Sequence, residues 1–196
     1  GYIDPAPRVE FFRAVDAANV DLKAFTDRFY YKICGARLEP VLETLRYIKQ
    51  ETDTWLELTT LLIPGENDSS SELDAMTGWV VEHLGPDVPM HFTAFHPDWK
   101  MRDIERTPVS TLTRAREIAL ANGVNYAYTG NVRDPVGSST WCTNCGELLI
   151  ERDWHRLGRW GMSNAGECGS CGTPVAGHFG EKPQRLTSGP VRVKLK

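Results

Sequence analysis

Strands and helices alternate along the first part of this chain of 196 residues. From about residue 4 to residue 130, short runs of apolar and β-branched residues are separated by segments with apolar residues at helical spacing. Strands separated by helices of this length pair in parallel through right-handed crossovers. The pattern therefore predicts an α/β fold, either an open sheet or part of a β/α barrel.

The junctions between these segments carry recognisable signals. Ser69 stands three residues before Glu72 at the start of one predicted helix, which is the spacing of a capping box, and Gly85 and Gly123 end two helices. The predicted strands cover 17–22, 54–63, 91–95 and 125–128, and the predicted helices cover 5–16, 38–48, 70–84 and 110–122. The strand at 17–22 is expected to be buried.

Ligands bind at the carboxyl ends of the strands in both candidate architectures. The candidate binding residues are therefore those that end or follow each predicted strand: Asp21, Lys23, 59–67, 96–100 and 130–131.

The composition changes near residue 134, where Pro, Gly and Ser become frequent and no further apolar helix pattern follows. We expect the barrel segment to occupy residues 1–133 and a smaller module to occupy residues 134–181. The remaining residues, 182–196, are polar with scattered Pro and Gly, and are expected to form a disordered tail.

The smaller module contains two C-x-x-C pairs, each followed directly by glycine, and 22 residues separate the pairs. Two such knuckles can place four thiolates around one tetrahedral zinc ion, and glycine allows the tight turn. Four protein ligands leave no position for water, so the predicted role of the metal is structural rather than catalytic. The predicted ligands are Cys142, Cys145, Cys168 and Cys171.

Other chemistries fit the same cysteines. Two redox-active pairs or disulfides have the same spacing, and iron fits the same cage as zinc. The fifth cysteine, Cys34, lies outside the motif and is expected to be a half-buried, inert thiol.

Composition excludes few classes of function. With 41% hydrophobic and 24% charged residues and no apolar run long enough to span a bilayer, the chain is not expected to be a membrane protein. A net charge of −4 does not call for a nucleic acid partner, although basic residues gather late in the chain. No leader precedes Asp4 and the cysteines suit a reducing compartment, so cytoplasm is the expected location.

Several strand-end motifs resemble those of radical S-adenosylmethionine enzymes. The likeness is to the AmmeMemoRadiSam-system proteins, which are similar to the activating enzymes of glycyl-radical enzymes such as pyruvate formate-lyase. The terminal pair of knuckles also occurs in that group. The motifs that carry the likeness follow in order along the chain: V-D-L-K-A-F at 20–25, W-L-E-L-T-T-L-L-I-P-G-E-N-D at 55–68, H-F at 91–92, F-H-P at 95–97 and G-N-V at 130–132.

The resemblance implies a partial β/α barrel that holds S-adenosylmethionine against a 4Fe–4S cluster, from which a 5′-deoxyadenosyl radical is generated to abstract hydrogen. By position, Lys23 matches a residue suited to the carboxylate of the cofactor, Asp21 one suited to ribose or a cation, and His96 one near the ribose. Glu57 stands where the activating enzymes have an arginine. The partner implied is a small molecule or a protein substrate.

The three-cysteine C-x-x-x-C-x-x-C loop of that family occurs nowhere in this sequence, and its glycine-rich cofactor motif is also absent. Because such clusters need cysteine thiolates, the interpretation is a C-terminal half of a radical enzyme with its zinc ribbon. The family's cluster-binding N-terminal part is expected to be missing, and the chain alone is expected to be inactive.

Simpler readings remain open. Asp21 and Lys23 point the same way on a strand and suit a surface ion pair, and His96 suits a strand end held by a backbone hydrogen bond. Asn67 and Asp68 suit a turn before the helix start at Ser69, and three tryptophans are expected to be packing residues: Trp55, Trp79 and Trp99. A different class of function is a non-catalytic module in which the ribbon binds a protein or a nucleic acid. A zinc hydrolase is disfavoured because it needs an open coordination position.

Overall fold

The computed structural model describes residues 1–154 and 156–179, and the chain divides into a first unit, Gly1–Val132, and a second unit that begins at Arg133. The predicted disordered tail at 182–196 lies outside the described residues. Within the described part, no helix is long and apolar enough to cross a bilayer.

The first unit is built on four parallel strands, β1 (Ala17–Asp21), β2 (Trp55–Leu62), β3 (Met90–Ala94) and β4 (Ala127–Gly130), and each strand pairs with the next along the chain. A doubly wound sheet reverses its strand order at a switch point, whereas a β/α barrel adds strands in sequence. The prediction of an α/β fold is confirmed, and the strand order identifies a partial β/α barrel.

The helices of the first unit are α1 (Pro5–Phe12), α2 (Asp27–Phe29), α3 (Glu39–Glu51), α4 (Ser70–Leu84) and α5 (Val109–Ala121), and a short π-helix, Tyr30–Cys34, follows α2. Apolar residues of α3, α4 and α5 join those of β2 and β3 in one buried cluster. Along β2 the side chains alternate strictly between buried and half-buried. One face of the sheet is therefore packed under helices, and the other carries the half-buried side chains.

Two predicted boundaries are displaced because backbone groups are used by neighbouring strands. The first helix ends at Phe12 rather than residue 16, since the carbonyl of Asp16 accepts a hydrogen bond from Trp55 N (2.9 Å) beside β1. The last strand starts two residues late, since Asn125 N donates to Pro86 O (2.8 Å) and pairing with β3 begins at Ala127. Strand β1 was expected to be buried, but it is an edge strand in which only Val20 is buried.

Helix α4 forms one of the two hydrogen bonds of the predicted capping box. Ser69 Oγ accepts from the backbone N–H of Glu72 (3.3 Å), which satisfies one of the free donors at the helix start. The carboxylate of Glu72 does not return to Ser69; it accepts from Phe25 N (2.7 Å), beyond the end of β1. A residue predicted from local spacing is thus used for a tertiary contact.

The second unit contains the short helix α6 (Pro135–Ser138) and three antiparallel strands, β5 (Thr140–Trp141), β6 (Leu148–Asp153) and β7 (Arg156–Trp160). The first C-x-x-C pair follows β5, and the second lies beyond β7. The hairpin β6–β7 is therefore the segment between the two pairs, as in a zinc-ribbon-like module.

Candidate functional site

The two cysteine knuckles have equivalent backbone geometry. Gly146 and Gly172 adopt positive φ values of 71° and 73°, which favour glycine. The N–H of Gly146 donates to Cys142 O (3.0 Å), and the N–H of Gly172 donates to Cys168 O (2.8 Å). The glycine after each pair thus closes a turn around its own cysteines, as the sequence predicted.

The four thiols converge on one point. The Sγ atoms of Cys142 and Cys171 are 3.6 Å apart, those of Cys145 and Cys168 are 3.7 Å apart, and all four lie within 4.8 Å of one another. Zn–S bonds of about 2.3 Å at tetrahedral angles place sulfurs about 3.8 Å apart. The tetrad therefore fits one mononuclear ion, whereas a 4Fe–4S cluster binds each thiolate to a different iron and spreads them further.

The surroundings of the thiols favour ionisation of two of them. The hydroxyl and backbone N–H of Thr173 lower the pKa of Cys171 to about 6. Burial raises the pKa of Cys142, but hydrogen bonds from the backbone N–H groups of Cys145 and Asn144 outweigh it and lower the pKa overall. Four thiolates this close repel one another, so a cation is needed to hold the tetrad in its ionised form.

The predicted cofactor residues lie at the carboxyl edge of the sheet. Lys23 Nζ stands 2.9 Å from Asp21 Oδ2, and the two side chains are 39% and 53% exposed. His96 follows β3 and is also exposed, but β2 lies between β1 and β3. The structure brings Asp21 and Lys23 together and places His96 at the same edge without contact to them among the described residues.

Side chains from other elements hold the backbone around Lys23. Its N–H donates to Tyr30 Oη (3.0 Å), and its carbonyl accepts from Asn67 Nδ2 (2.6 Å). One residue earlier, the carbonyl of Leu22 accepts from Thr60 Oγ1 (2.8 Å). Lys23 lies beyond the last residue of β1, yet its backbone N–H and its carbonyl both have partners, so Lys23 stands on a fixed backbone.

The side chain of Asn67 forms three hydrogen bonds at this edge of the sheet. It is completely buried, its Oδ1 accepts from Ile63 N (2.7 Å), and its Nδ2 also donates to Leu61 O (2.9 Å). The sequence predicted a turn here, at the end of the candidate binding range 59–67. The amide in fact ties the loop after β2 to the residue that follows β1.

Burial raises the pKa of Tyr30 to about 12 from an ordinary value of 10.0, against the lowering effect of the Lys23 N–H. Since the folded pKa exceeds the unfolded one, the stability associated with neutral Tyr30 is complete below pH 10 and is lost as pH rises towards 12. We expect Tyr30→Phe to remove the phenol absorbance change near pH 12. Coincident titration curves of the variant and the parent chain would contradict this assignment.

One face of the sheet, here called the polar sheet face, carries the exposed Asn19 and five half-buried side chains: Trp55, Glu57, Thr59, His91 and Tyr128. Its centre is a hydrogen bond between His91 Nε2 and Glu57 Oε2 (2.8 Å), and the His91 ring stacks on Tyr128 with centroids 5.1 Å apart. Thr59 Oγ1 donates to Asn19 Oδ1 (2.7 Å). Sequence reasoning missed this cluster, although the alternation of polar and apolar residues in β2 and β3 was a signal for it.

Two expectations about single residues were wrong. Trp99 was expected to pack in the core, but it is 76% exposed with a φ of 44°, and Lys100 Nζ lies 4.4 Å from its ring centroid. Cys34 was expected to be half-buried, but it is exposed. Trp55 and Trp79 are half-buried, and Trp79 packs against the core cluster.

Comparison with known proteins supports the fold. The chain is 45% identical over 152 residues to an uncharacterized protein of Methanocaldococcus jannaschii, and the match covers 78% of this chain but only 44% of that protein. The fold is similar to that of a domain of pyruvate-formate lyase-activating enzyme from Bacteroides vulgatus, with a TM-score of 0.57 and 16% identity over 65% of this chain and 75% of that domain. No protein-family model matches the sequence.

Proposed function

We propose that this chain is the cofactor-side part of a radical S-adenosylmethionine enzyme of the glycyl-radical-activase type, close to the AmmeMemoRadiSam-system proteins. The observation that carries the proposal is the Asp21–Lys23 pair, held on a fixed backbone at the carboxyl edge of a partial β/α barrel. The fold likeness to a domain of pyruvate-formate lyase-activating enzyme supports it. The substrate is a small molecule or a protein that gives up hydrogen.

Each proposed cofactor residue has a role that its chemistry suits. The Lys23 ammonium pairs with the carboxylate of S-adenosylmethionine, and Asp21 and His96 serve the ribose hydroxyls. The Lys23–Asp21 ion pair is largely exposed, and pairs of this kind contribute at most about 1 kcal/mol. Lys23 can therefore exchange Asp21 for a cofactor carboxylate at little cost.

The cluster chemistry belongs to the longer protein in this proposal. When bound, a 4Fe–4S cluster and S-adenosylmethionine would supply a 5′-deoxyadenosyl radical. The cluster needs the C-x-x-x-C-x-x-C motif as its ligands, and the five cysteines of this sequence include no such motif. The match covers 44% of the Methanocaldococcus jannaschii protein, so that relative extends well beyond the matched region. We assign the cluster ligands to that further part of the protein. This chain then binds the cofactor but generates no radical by itself.

The cysteine tetrad has a structural role in the same proposal. All four sulfurs fit one ion, which we propose is zinc, and a filled tetrahedral sphere has no position for an activated water. This argues against a zinc hydrolase. The ion instead stabilises a module with a small apolar core.

Binding of S-adenosylmethionine to the chain under anaerobic conditions tests the proposal. Lys23→Ala is expected to weaken binding by about tenfold or more, because a charge-assisted hydrogen bond contributes roughly 1.5–3 kcal/mol. Lys32→Ala removes an exposed lysine from the nearby π-helix and is the matched control. Absence of binding by the parent chain, or equal affinity of the two variants, would refute the proposal; isothermal titration calorimetry gives either answer.

A second candidate is that the second unit is an interaction module. Trp154 favours it, since this side chain is 61% exposed at the β6–β7 turn with a φ of 55°. A nucleic acid partner has less support, because Arg159 pairs with Glu147, and Arg133 with Asp153 at 3.4 Å. The candidate partner is therefore a protein, and its binding is expected to depend weakly on salt.

A further inference from the structure

The Glu57–His91 pair joins β2 to β3 on the polar sheet face, and the strand register places His91 level with Thr59 of β2 and Asp21 of β1. Glu57 comes from the middle of β2 and His91 from the start of β3, and their side chains are 34% and 30% exposed. The second carboxylate oxygen, Glu57 Oε1, accepts from Trp55 Nε1 (3.0 Å). Stacking on Tyr128 fixes the plane of the imidazole.

This geometry determines the tautomer of His91. A carboxylate can only accept hydrogen bonds, so Nε2 carries a proton, and in the neutral imidazole Nδ1 therefore keeps its lone pair. In the part of the chain that the structure describes, no hydrogen bond to His91 Nδ1 is formed. An oriented, partly exposed imidazole with a carboxylate behind it is the arrangement that proton-transfer sites use.

We infer that His91 is the acid–base residue of a substrate site on the polar sheet face, for a polar organic molecule that presents an O–H or N–H group. Its Nδ1 accepts the proton, the electron pair of the broken bond stays on the substrate heteroatom, and Glu57 stabilises the imidazolium. Reversal of the step returns the proton, and no oxidant or reductant takes part. The proton transfer at His91 is inferred from the geometry of the Glu57–His91 pair alone. The reaction in which that proton transfer takes part rests on the proposed function.

A second histidine of the same unit shows the contrast. His83 lies 3.9 Å from Glu82, but its Nδ1 is 3.1 Å from the carbonyl oxygen of Trp79 and its ring stacks on Trp79 with centroids 4.8 Å apart. Its adjacent carboxylate belongs to the same helix turn and is largely exposed. His83 is an ordinary satisfied helix residue, and the Glu82–His83 pair provides an internal control.

Replacing Glu57 by Gln is expected to invert the tautomer. Trp55 Nε1 can only donate, so the amide oxygen of the new side chain has to remain opposite Trp55, and the amide NH2 then faces His91 Nε2. Nε2 becomes the acceptor, and the ring proton moves to Nδ1. Nitrogen NMR of the histidine rings reports the exchange directly.

The test is the rate at which diethyl pyrocarbonate, which acylates the unprotonated nitrogen of accessible imidazoles, modifies each histidine, followed by peptide mass mapping. We expect His91 to react readily in the parent chain and at least about fivefold more slowly in Glu57→Gln, since its reactive nitrogen is then engaged by the amide. Glu82→Gln is expected to leave His83 unchanged. Unaltered rates at His83 and His96 in Glu57→Gln show that the variant is folded.

Saturating S-adenosylmethionine separates this inference from the proposed function. Protection of His96 with continued reaction of His91 supports both the cofactor site and a separate substrate site. Protection of neither residue counts against the cofactor site alone, and the result of Glu57→Gln still decides the role of His91. An unreactive His91, or one whose rate is insensitive to Glu57→Gln, overturns the inference.

Discussion

Cys145→Ser is expected to remove the metal ion from the second unit and to leave that unit open to proteolysis. A serine hydroxyl is not ionised at neutral pH, so three thiolates remain where four lie within 4.8 Å of one another. Structural zinc contributes roughly 10–16 kcal/mol of apparent binding free energy in small modules, and that free energy is coupled to folding. The buried apolar set of the described part of this unit is small and includes two of the ligands: Cys142, Leu149, Ile150, Met162, Cys168 and Val175.

Metal analysis and limited proteolysis test this expectation together. After anaerobic reconstitution with iron and sulfide, the parent chain is expected to hold about one zinc and negligible iron, and Cys145→Ser to hold neither. Cys34→Ser is the control, because that thiol is exposed and outside the tetrad. Full zinc content or unchanged protease resistance in Cys145→Ser would show that the module folds without the tetrad, and about four irons per chain would show that a cluster forms.

Asn67→Ala is expected to destabilise the first unit by roughly 3–5 kcal/mol. The substitution removes the fully buried amide of Asn67, which is the partner of Lys23 O, Leu61 O and Ile63 N, and each group left unsatisfied costs about 1–3 kcal/mol, with partial relief from relaxation and from water at the two part-buried carbonyls. Affinity for S-adenosylmethionine is expected to fall as well, because the backbone of Lys23 loses one of the two side-chain hydrogen bonds that fix it.

Urea unfolding followed by far-UV circular dichroism measures this effect, since the long helices of the described residues belong to the first unit. Asn125→Ala is the matched control: its amide donates to Asp87 Oδ1 (2.8 Å) at an exposed position, and its loss is expected to change stability by about 0.5 kcal/mol or less. Equal transition midpoints for the two variants would mean that Asn67 is not the tie between the strand ends.

Local sequence patterns identified most elements of the first unit. Apolar spacing placed α3, α4 and α5, and the cap at Ser69 set the start of α4, because these signals act between residues within one or two turns. These local signals gave the wrong boundary where the backbone group of a terminal residue forms a hydrogen bond to a residue distant in sequence. Asp16 lies outside the first helix and Asn125 outside the last strand, because their backbone groups form hydrogen bonds with Trp55 and Pro86.

The candidate sites divide in the same way. The cysteine tetrad could be predicted from the sequence because two C-x-x-C pairs already bring their own thiols together, and the structure only has to join the pairs. The resemblance supplied Asp21, Lys23 and His96 by position, and the structure shows an ion pair for the first two alone.

By itself, then, the sequence determined the alternation of strands and helices, the helix start at Ser69 and the four candidate metal ligands, since each depends on near neighbours. Only the tertiary structure decided that Asn67 holds Lys23 and that Glu57 faces His91. Those contacts join residues 44 and 34 positions apart, and the parallel register of neighbouring strands sets which side chains meet. Register is a property of the whole packed sheet, and no local pattern in this sequence specifies it.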